Sequence, residues 1–115
     1  MKKLVLLFIS TLLVISVCLA HGEEKVGILI DAKCGEGLAA KPAEAAEHTI
    51  ACVLKCKDSG FGIISGGKFW RFDEYGNRQA HLLLKSTELQ ANLKVRVGGH
   101  FEGDLIKVGE IETVD

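Results

Sequence analysis

The chain has one proline, one tryptophan and one tyrosine in 115 residues, and its basic residues nowhere gather into a patch. The single proline, Pro42, and the lack of any repeat leave no linker, so a second domain is not expected. The 14 basic residues are scattered among 15 acidic ones. Because binding through phosphate groups needs a clustered basic surface, we expect no nucleic-acid partner.

Several sequence motifs of enzymes are also missing. The chain has no nucleophile elbow, no phosphate-binding loop and no pair of catalytic acids, so we expect a protein that is not an enzyme. It has no C-x-x-C motif either. That absence weakens both a thiol redox role and a zinc-ribbon interpretation.

Long apolar runs are confined to the N-terminus. Lys2 and Lys3 precede a nearly uninterrupted apolar stretch at 4–19, which is the profile of a secretory signal. A membrane-spanning helix needs about 20 apolar residues, and this stretch is shorter. We expect a signal at 1–20 cleaved after Ala20, with an uncleaved anchor or a lipid-modified Cys18 as the alternatives. The expected location is periplasmic or secreted, without membrane attachment after cleavage.

The remaining residues, 21–115, are expected to form a single domain. Removal of Lys2 and Lys3 leaves 12 basic residues against 15 acidic ones, a net charge of about −3. Cys18 leaves with the signal, so three cysteines remain: Cys34, Cys52 and Cys56. An odd number of cysteines in an oxidising compartment leaves one thiol for a partner, a metal ion or no bond at all.

Short β-branched or alternating runs predict five strands, at 26–31, 61–65, 68–72, 93–97 and 105–108. Two helices are predicted, at 42–57 and 81–93. Gly66-Gly67 predicts a two-residue hairpin turn between the second and third strands. This chain order is that of a mostly β, five-stranded, OB-like, partly open barrel with a helix between the third and fourth strands. The alternative is an α+β fold, with an antiparallel sheet and helices on one face.

One group of residues merits a functional interpretation. His48, Cys52 and Cys56 recur every four residues, which places them along one stripe of the predicted helix 42–57. The turn after the first strand brings Cys34 towards that stripe. A disulfide from Cys34 to Cys52 or Cys56 would fasten this turn to the helix. Alternatively, all four residues form a metal site of a kind suited to tetrahedral zinc or to copper(I).

Other polar and aromatic residues receive structural interpretations. We expect Asp31 to form a turn or to cap the loop after the first strand, and His81 and His100 to lie on the surface. The aromatic residues in and beside the hairpin are expected in the core: Phe61, Phe69, Trp70, Phe72 and Tyr75. Exposure of Trp70 would instead favour a partner-binding surface on the strand of Phe69 and Trp70.

The pattern Asp31-x-x-Cys34 followed by His48-x3-Cys52-x3-Cys56 resembles a group of small exported bacterial proteins of unassigned function. The resemblance implies export and an OB-like domain, and it implies no reaction. We therefore expect an exported binding or structural module whose Cys/His cluster is a disulfide fastener or a metal site. A thiol redox or soft-metal-handling protein is the alternative, and a protein partner or a small ligand stays open.

Overall fold

The computed structural model describes residues 22–114. The predicted signal at 1–20, with Cys18 and the expected cleavage site, lies outside the described residues. Between residues 22 and 114, no helix combines the length and the apolar character needed to cross a membrane.

The described chain contains five strands and four α-helices. The strands are β1 (Glu23–Asp31), β2 (Phe61–Ser65), β3 (Lys68–Phe72), β4 (Lys94–Glu102) and β5 (Leu105–Thr113). The helices are α1 (Ala32–Leu38), α2 (Pro42–Glu47), α3 (Ile50–Lys55) and α4 (Glu74–Ser86), with a 3-10 helix at Lys57–Ser59. All five predicted strands are therefore present in the predicted order, and β1, β4 and β5 are longer than predicted.

The strands form one sheet in the order β1-β2-β3-β5-β4, and β4 also pairs with β1, so that the sheet closes into a ring. Four of the five pairings are antiparallel, whereas β3 and β5 run parallel where Arg71 and Phe72 face Leu105 and Ile106. The predicted five-stranded sheet is confirmed. It is closed rather than partly open, and it is mixed rather than wholly antiparallel.

The hairpin of β2 and β3 has the predicted turn. Gly66 and Gly67 have φ angles of 61° and 76°, which only glycine adopts at little cost at two successive positions. Ile64 then pairs with Phe69 and Ser65 with Lys68. A two-residue turn of this kind fixes the register of the two strands.

The helices depart from the prediction in number, so the fold is mixed α+β rather than mostly β with two helices. The predicted helix 42–57 is interrupted at His48 and Thr49, whose ψ angles of 117° and 150° are extended. The Thr49 hydroxyl accepts a hydrogen bond from Cys52 N and so caps α3. The backbone N–H of Ile50 meanwhile bonds Gln90 O at 2.8 Å. The extended conformation of His48 and Thr49 therefore ends α2, and the Thr49 cap begins α3.

The last helix begins earlier than the predicted 81–93. Asp73 Oδ1 accepts a hydrogen bond from Gly76 N at 3.0 Å, so Asp73 caps a helix that starts at Glu74. Residues 73–77, whose composition predicts a turn, therefore form the cap and the first turn of α4. The helix ends at Ser86 because Thr87 is extended, with a ψ of 143°.

The core lies inside the ring and beneath the helices. Its fully buried large side chains come from β1, β2, β4, β5, α3 and α4. The first helix packs closely on the sheet at Gly35, where a Cβ atom would lie 2.5 Å from the ring of Phe69. This approach fixes α1, and with it Cys34, over the end of β1.

Candidate metal centre

Asp31 is the last residue of β1, and its side chain is fully buried, with 0% exposure. Its Oδ2 atom accepts a hydrogen bond from Cys34 N at 3.0 Å, so Asp31 caps α1. Asp31 therefore acts as a cap as expected, but it caps a helix, because the glycine-rich segment predicted as a turn forms α1. The cap also places the side chain of Cys34 in the first turn of α1, beside the carboxylate.

His48 reaches the same carboxylate from the interruption between α2 and α3. Its Nε2 atom lies 3.1 Å from Asp31 Oδ1, and its side chain is 18% exposed. The position of His48 is fixed on its C-terminal side, because Thr49 forms a β-bridge with Ala91. The interruption of the predicted helix is therefore the feature that turns His48 towards the end of β1.

These contacts bring together three different donor atoms. A carboxylate oxygen of Asp31, the Sγ atom of Cys34 and a ring nitrogen of His48 all lie within 4.8 Å of one another. Such a set of oxygen, sulfur and nitrogen ligands could hold a metal ion. Asp31 is buried while Cys34 and His48 are half-buried, so the cluster lies at the edge of the core with one side open to solvent.

The surroundings of Cys34 favour its protonated form. Partial burial raises the pKa of the thiol above its usual value of 9.0, and the negative charge of Asp31 and a hydrogen bond to its carboxylate raise it further. A charge on Cys56 acts in the same direction, whereas Lys33 lowers the pKa. Without a metal ion, Cys34 is therefore a thiol at neutral pH.

The structure does not bring all four residues predicted as metal ligands into one cluster. Cys34 and His48 come together, but the predicted single stripe of His48, Cys52 and Cys56 is wrong, because the helix breaks after Glu47. Cys52 lies on α3 and is exposed. Cys56 follows α3 and is half-buried, close enough for its charge to act on Cys34 but outside the three-atom cluster.

The predicted disulfide fastener is not formed. Cys34, Cys52 and Cys56, which are the cysteines of the described residues, are all free. The connection between α1 and the chain after α3 is made instead by hydrogen bonds from the backbone of α1 to Gly60 O and to the hydroxyl of Ser59.

The residues alone predict Asp31 only as a turn or cap residue. The resemblance adds it to the set with Cys34, His48, Cys52 and Cys56 where a shared function would lie, but neither predicts it as a metal ligand. The sequence did contain a signal, because a carboxylate three residues before a cysteine at the end of an apolar strand is held close to that cysteine when it caps the next helix. The spacing does not reveal that the second carboxylate oxygen faces a histidine 17 residues away.

The expectation that the aromatic residues lie in the core is wrong for Tyr75, which is in the first turn of α4 and is 43% exposed. The other four divide into two groups. Phe61, Phe69 and Phe72 are buried as expected. Trp70 is half-buried, with Lys25 and Lys68 over its ring and Phe101 packed edge-on against it at 5.6 Å. The indole is therefore largely covered by the chain's own side chains.

Comparison with protein-family models, with curated proteins and with solved structures finds no match to this chain.

Proposed function

We propose that this protein is a small metal-binding module that holds one transition-metal ion on Asp31, Cys34 and His48. The observation that carries the proposal is the grouping of an oxygen, a sulfur and a nitrogen donor within 4.8 Å. A histidine, a thiolate and a carboxylate are all ligands that zinc accepts in tetrahedral sites.

The geometry of the cluster supports an ion of this kind. Ligands at about 2.05 Å from a tetrahedral ion lie about 3.3 Å apart, and His48 Nε2 lies 3.1 Å from Asp31 Oδ1. Binding would replace the direct contact between these two atoms and release the proton of the Cys34 thiol. Asp31 Oδ2 could keep its hydrogen bond from Cys34 N, so the carboxylate would stay oriented.

The donor set favours zinc over copper(I), the other ion that we consider. Copper(I) prefers soft sulfur ligands, whereas carboxylates suit harder ions. Zinc is borderline and accepts both, so a mixed set of oxygen, nitrogen and sulfur fits it better. Three protein ligands leave a fourth position for water or a further side chain.

We propose the OB type as the class of the domain. The support is the closed strand order β1-β2-β3-β5-β4 and the placement of α4 between the third and fourth strands. The segment between β1 and β2, which carries α1, α2 and α3, is then an insertion that builds the metal cluster. The module is proposed to bind rather than to catalyse, since the sequence carries none of the catalytic motifs named above.

We propose export to the periplasm or to the exterior, on the support of the signal-like residues 1–20. The resemblance to small exported bacterial proteins points the same way. Intact-mass measurement of the protein from a bacterial expression host tests this, with a mass starting at His21 expected. A mass that still includes residues 1–20 would contradict cleavage.

Zinc titration of metal-free protein tests the metal site. Native mass spectrometry should show one zinc ion per chain, and thermal unfolding should shift upwards because the ion binds the folded chain. At a zinc concentration of about 100 times the Kd, the added stability is about 2.7 kcal/mol. Asp31→Asn, Cys34→Ser and His48→Gln should each weaken binding, whereas Glu36→Gln, an exposed change in α1, should not. Failure of the wild-type protein to bind zinc, or equal binding by all four variants, would refute the site.

A further inference from the structure

The chain that follows α3 is fastened to the first turn of α1. Ala32 N donates to Gly60 O at 2.8 Å, and Lys33 N donates to the hydroxyl of Ser59 at 3.1 Å. Both donors lie immediately before Cys34 in the sequence. The 3-10 helix and its flanking residues are therefore held against the helix turn that carries one of the proposed ligands.

Cys56 belongs to this fastened segment. The hydroxyl of Ser59 donates to Cys56 O at 2.7 Å while it accepts from Lys33 N, so one side chain links the backbones beside both cysteines. Cys56 also lies beyond the last turn of α3, with φ and ψ of −100° and 19°. It is half-buried, in contrast to the exposed Cys52.

We infer that Cys56 is the fourth ligand of the metal site and sets its preference for thiophilic ions such as zinc and cadmium. The inference rests on the proposed function, since it concerns the same ion. The Sγ atom of Cys56 lies outside the 4.8 Å cluster, so coordination requires its side chain to turn towards Cys34 when the ion binds. The Ser59 link keeps the backbone of Cys56 in place during that rotation.

A second sulfur changes which ions the site selects. With Asp31, Cys34 and His48 alone, one soft ligand stands beside one carboxylate, and harder ions such as manganese compete more readily. With Cys56 added, two thiolates face the ion, and thiolates favour zinc and cadmium over manganese. Cys56 is in this sense the residue that determines specificity.

Cys52 provides a matched control. It is the same amino acid, it lies four residues earlier on α3, and its side chain is exposed. Cys52→Ser therefore removes a thiol from the same short segment without touching the fastened chain. Any effect found in Cys56→Ser and not in Cys52→Ser is due to the position of the thiol rather than to the thiol count.

Cobalt(II) titration of the reduced, metal-free protein tests the inference, because cobalt occupies zinc sites and each bound thiolate adds a charge-transfer absorption in the near ultraviolet. We expect the absorption of Cys56→Ser at saturation to be about half that of wild type, and that of Cys52→Ser to be unchanged. Competition between cadmium and manganese should show at least a tenfold loss of cadmium preference in Cys56→Ser. A tenfold change corresponds to about 1.4 kcal/mol.

The outcomes separate the two proposals. Equal absorption in wild type and Cys56→Ser would overturn the role of Cys56 while leaving the three-residue site intact. Absence of any thiolate absorption in saturated wild type would overturn both. A circular dichroism spectrum of each variant checks folding, and Cys56→Ala serves in place of Cys56→Ser if the serine variant does not fold.

Discussion

Asp31 and His48 are 17 residues apart, and they meet where Asp31 Oδ1 lies 3.1 Å from His48 Nε2. One partner ends a strand and the other occupies a break between two helices. The same carboxylate caps α1 through its other oxygen. A single buried side chain thus orients both of the other proposed ligands, Cys34 through its backbone and His48 through its ring.

Replacing Asp31 should affect both stability and zinc binding. Asp31→Ala removes the cap of α1 and the partner of His48, and loss of a cap alone costs about 0.5–2 kcal/mol. We expect a loss of about 2 kcal/mol in the free energy of urea unfolding for the metal-free protein. Asp31→Asn keeps an acceptor for Cys34 N and should lose less. Both variants should bind zinc at least about tenfold more weakly, as changes around a metal site commonly do.

The environment of Cys34 predicts a loss of stability at alkaline pH. Partial burial and Asp31 raise the pKa of the folded-state thiol above 9.0, while the unfolded chain keeps an ordinary value. As the pH rises through 9.0, the unfolded chain releases the Cys34 proton at a lower pH than the folded chain does. The rise in pH therefore favours the unfolded chain, and the free energy of unfolding falls. Urea unfolding of the metal-free, reduced protein between pH 8 and pH 10.5 should show this fall in the free energy of unfolding. Cys34→Ser should lose less stability over that range, and identical slopes would contradict the prediction.

Local signals in the sequence account for the features that were predicted correctly. Two successive glycines force the hairpin turn, and the alternating residues of β4 mark a strand whichever partners it has. Asp31 as a cap is equally local, because donor and acceptor are three residues apart. Such features need no knowledge of the rest of the fold.

The incorrect predictions concern features that depend on contacts between residues far apart in the sequence. Periodicity alone favours one helix through His48, but the bond from Ile50 N to Gln90 O and the bridge of Thr49 to Ala91 interrupt it. That interruption takes Cys52 out of line with His48 and turns His48 towards Asp31. The composition of the site therefore depends on a backbone contact that the sequence pattern does not encode.

Removing the hydroxyl of Ser59 should loosen the link between Cys56 and α1. Ser59→Ala loses one acceptor for Lys33 N and one donor to Cys56 O, and an exposed hydrogen-bonded pair of this kind contributes about 1 kcal/mol. We expect that loss in urea unfolding and weaker zinc binding in titration. Ser59→Thr keeps the hydroxyl and should restore both. Zinc binding by Ser59→Ala that equals wild type would show that the link does not position Cys56.

Trp70 is the only tryptophan, so its fluorescence reports on one site. Lys25 Nζ and Lys68 Nζ lie 4.5 and 4.2 Å from the centre of its ring. Acrylamide should therefore quench Trp70 less than a free indole, and Lys25→Ala or Lys68→Ala should increase quenching. Each variant should also lose about 0.5–1 kcal/mol of stability. Lys85→Ala, an exposed change on α4, should alter neither measurement. Quenching of wild type equal to that of free indole would instead support a partner-binding surface on β3.

Asp73 links the start of α4 to β5 through hydrogen bonds. It is distant in sequence from the proposed ligands. Its Oδ1 atom accepts hydrogen bonds from Gly76 N at 3.0 Å and from Val108 N at 3.2 Å. Asp73→Ala leaves two backbone donors without this acceptor, so we expect a loss of about 2–3 kcal/mol in urea unfolding. Asp73→Asn retains an oxygen acceptor and should lose less. Because neither change touches Asp31, Cys34 or His48, zinc affinity measured below the unfolding transition should stay at the wild-type value. A drop in zinc affinity in a folded Asp73 variant would mean that the cluster depends on α4 more than these contacts indicate.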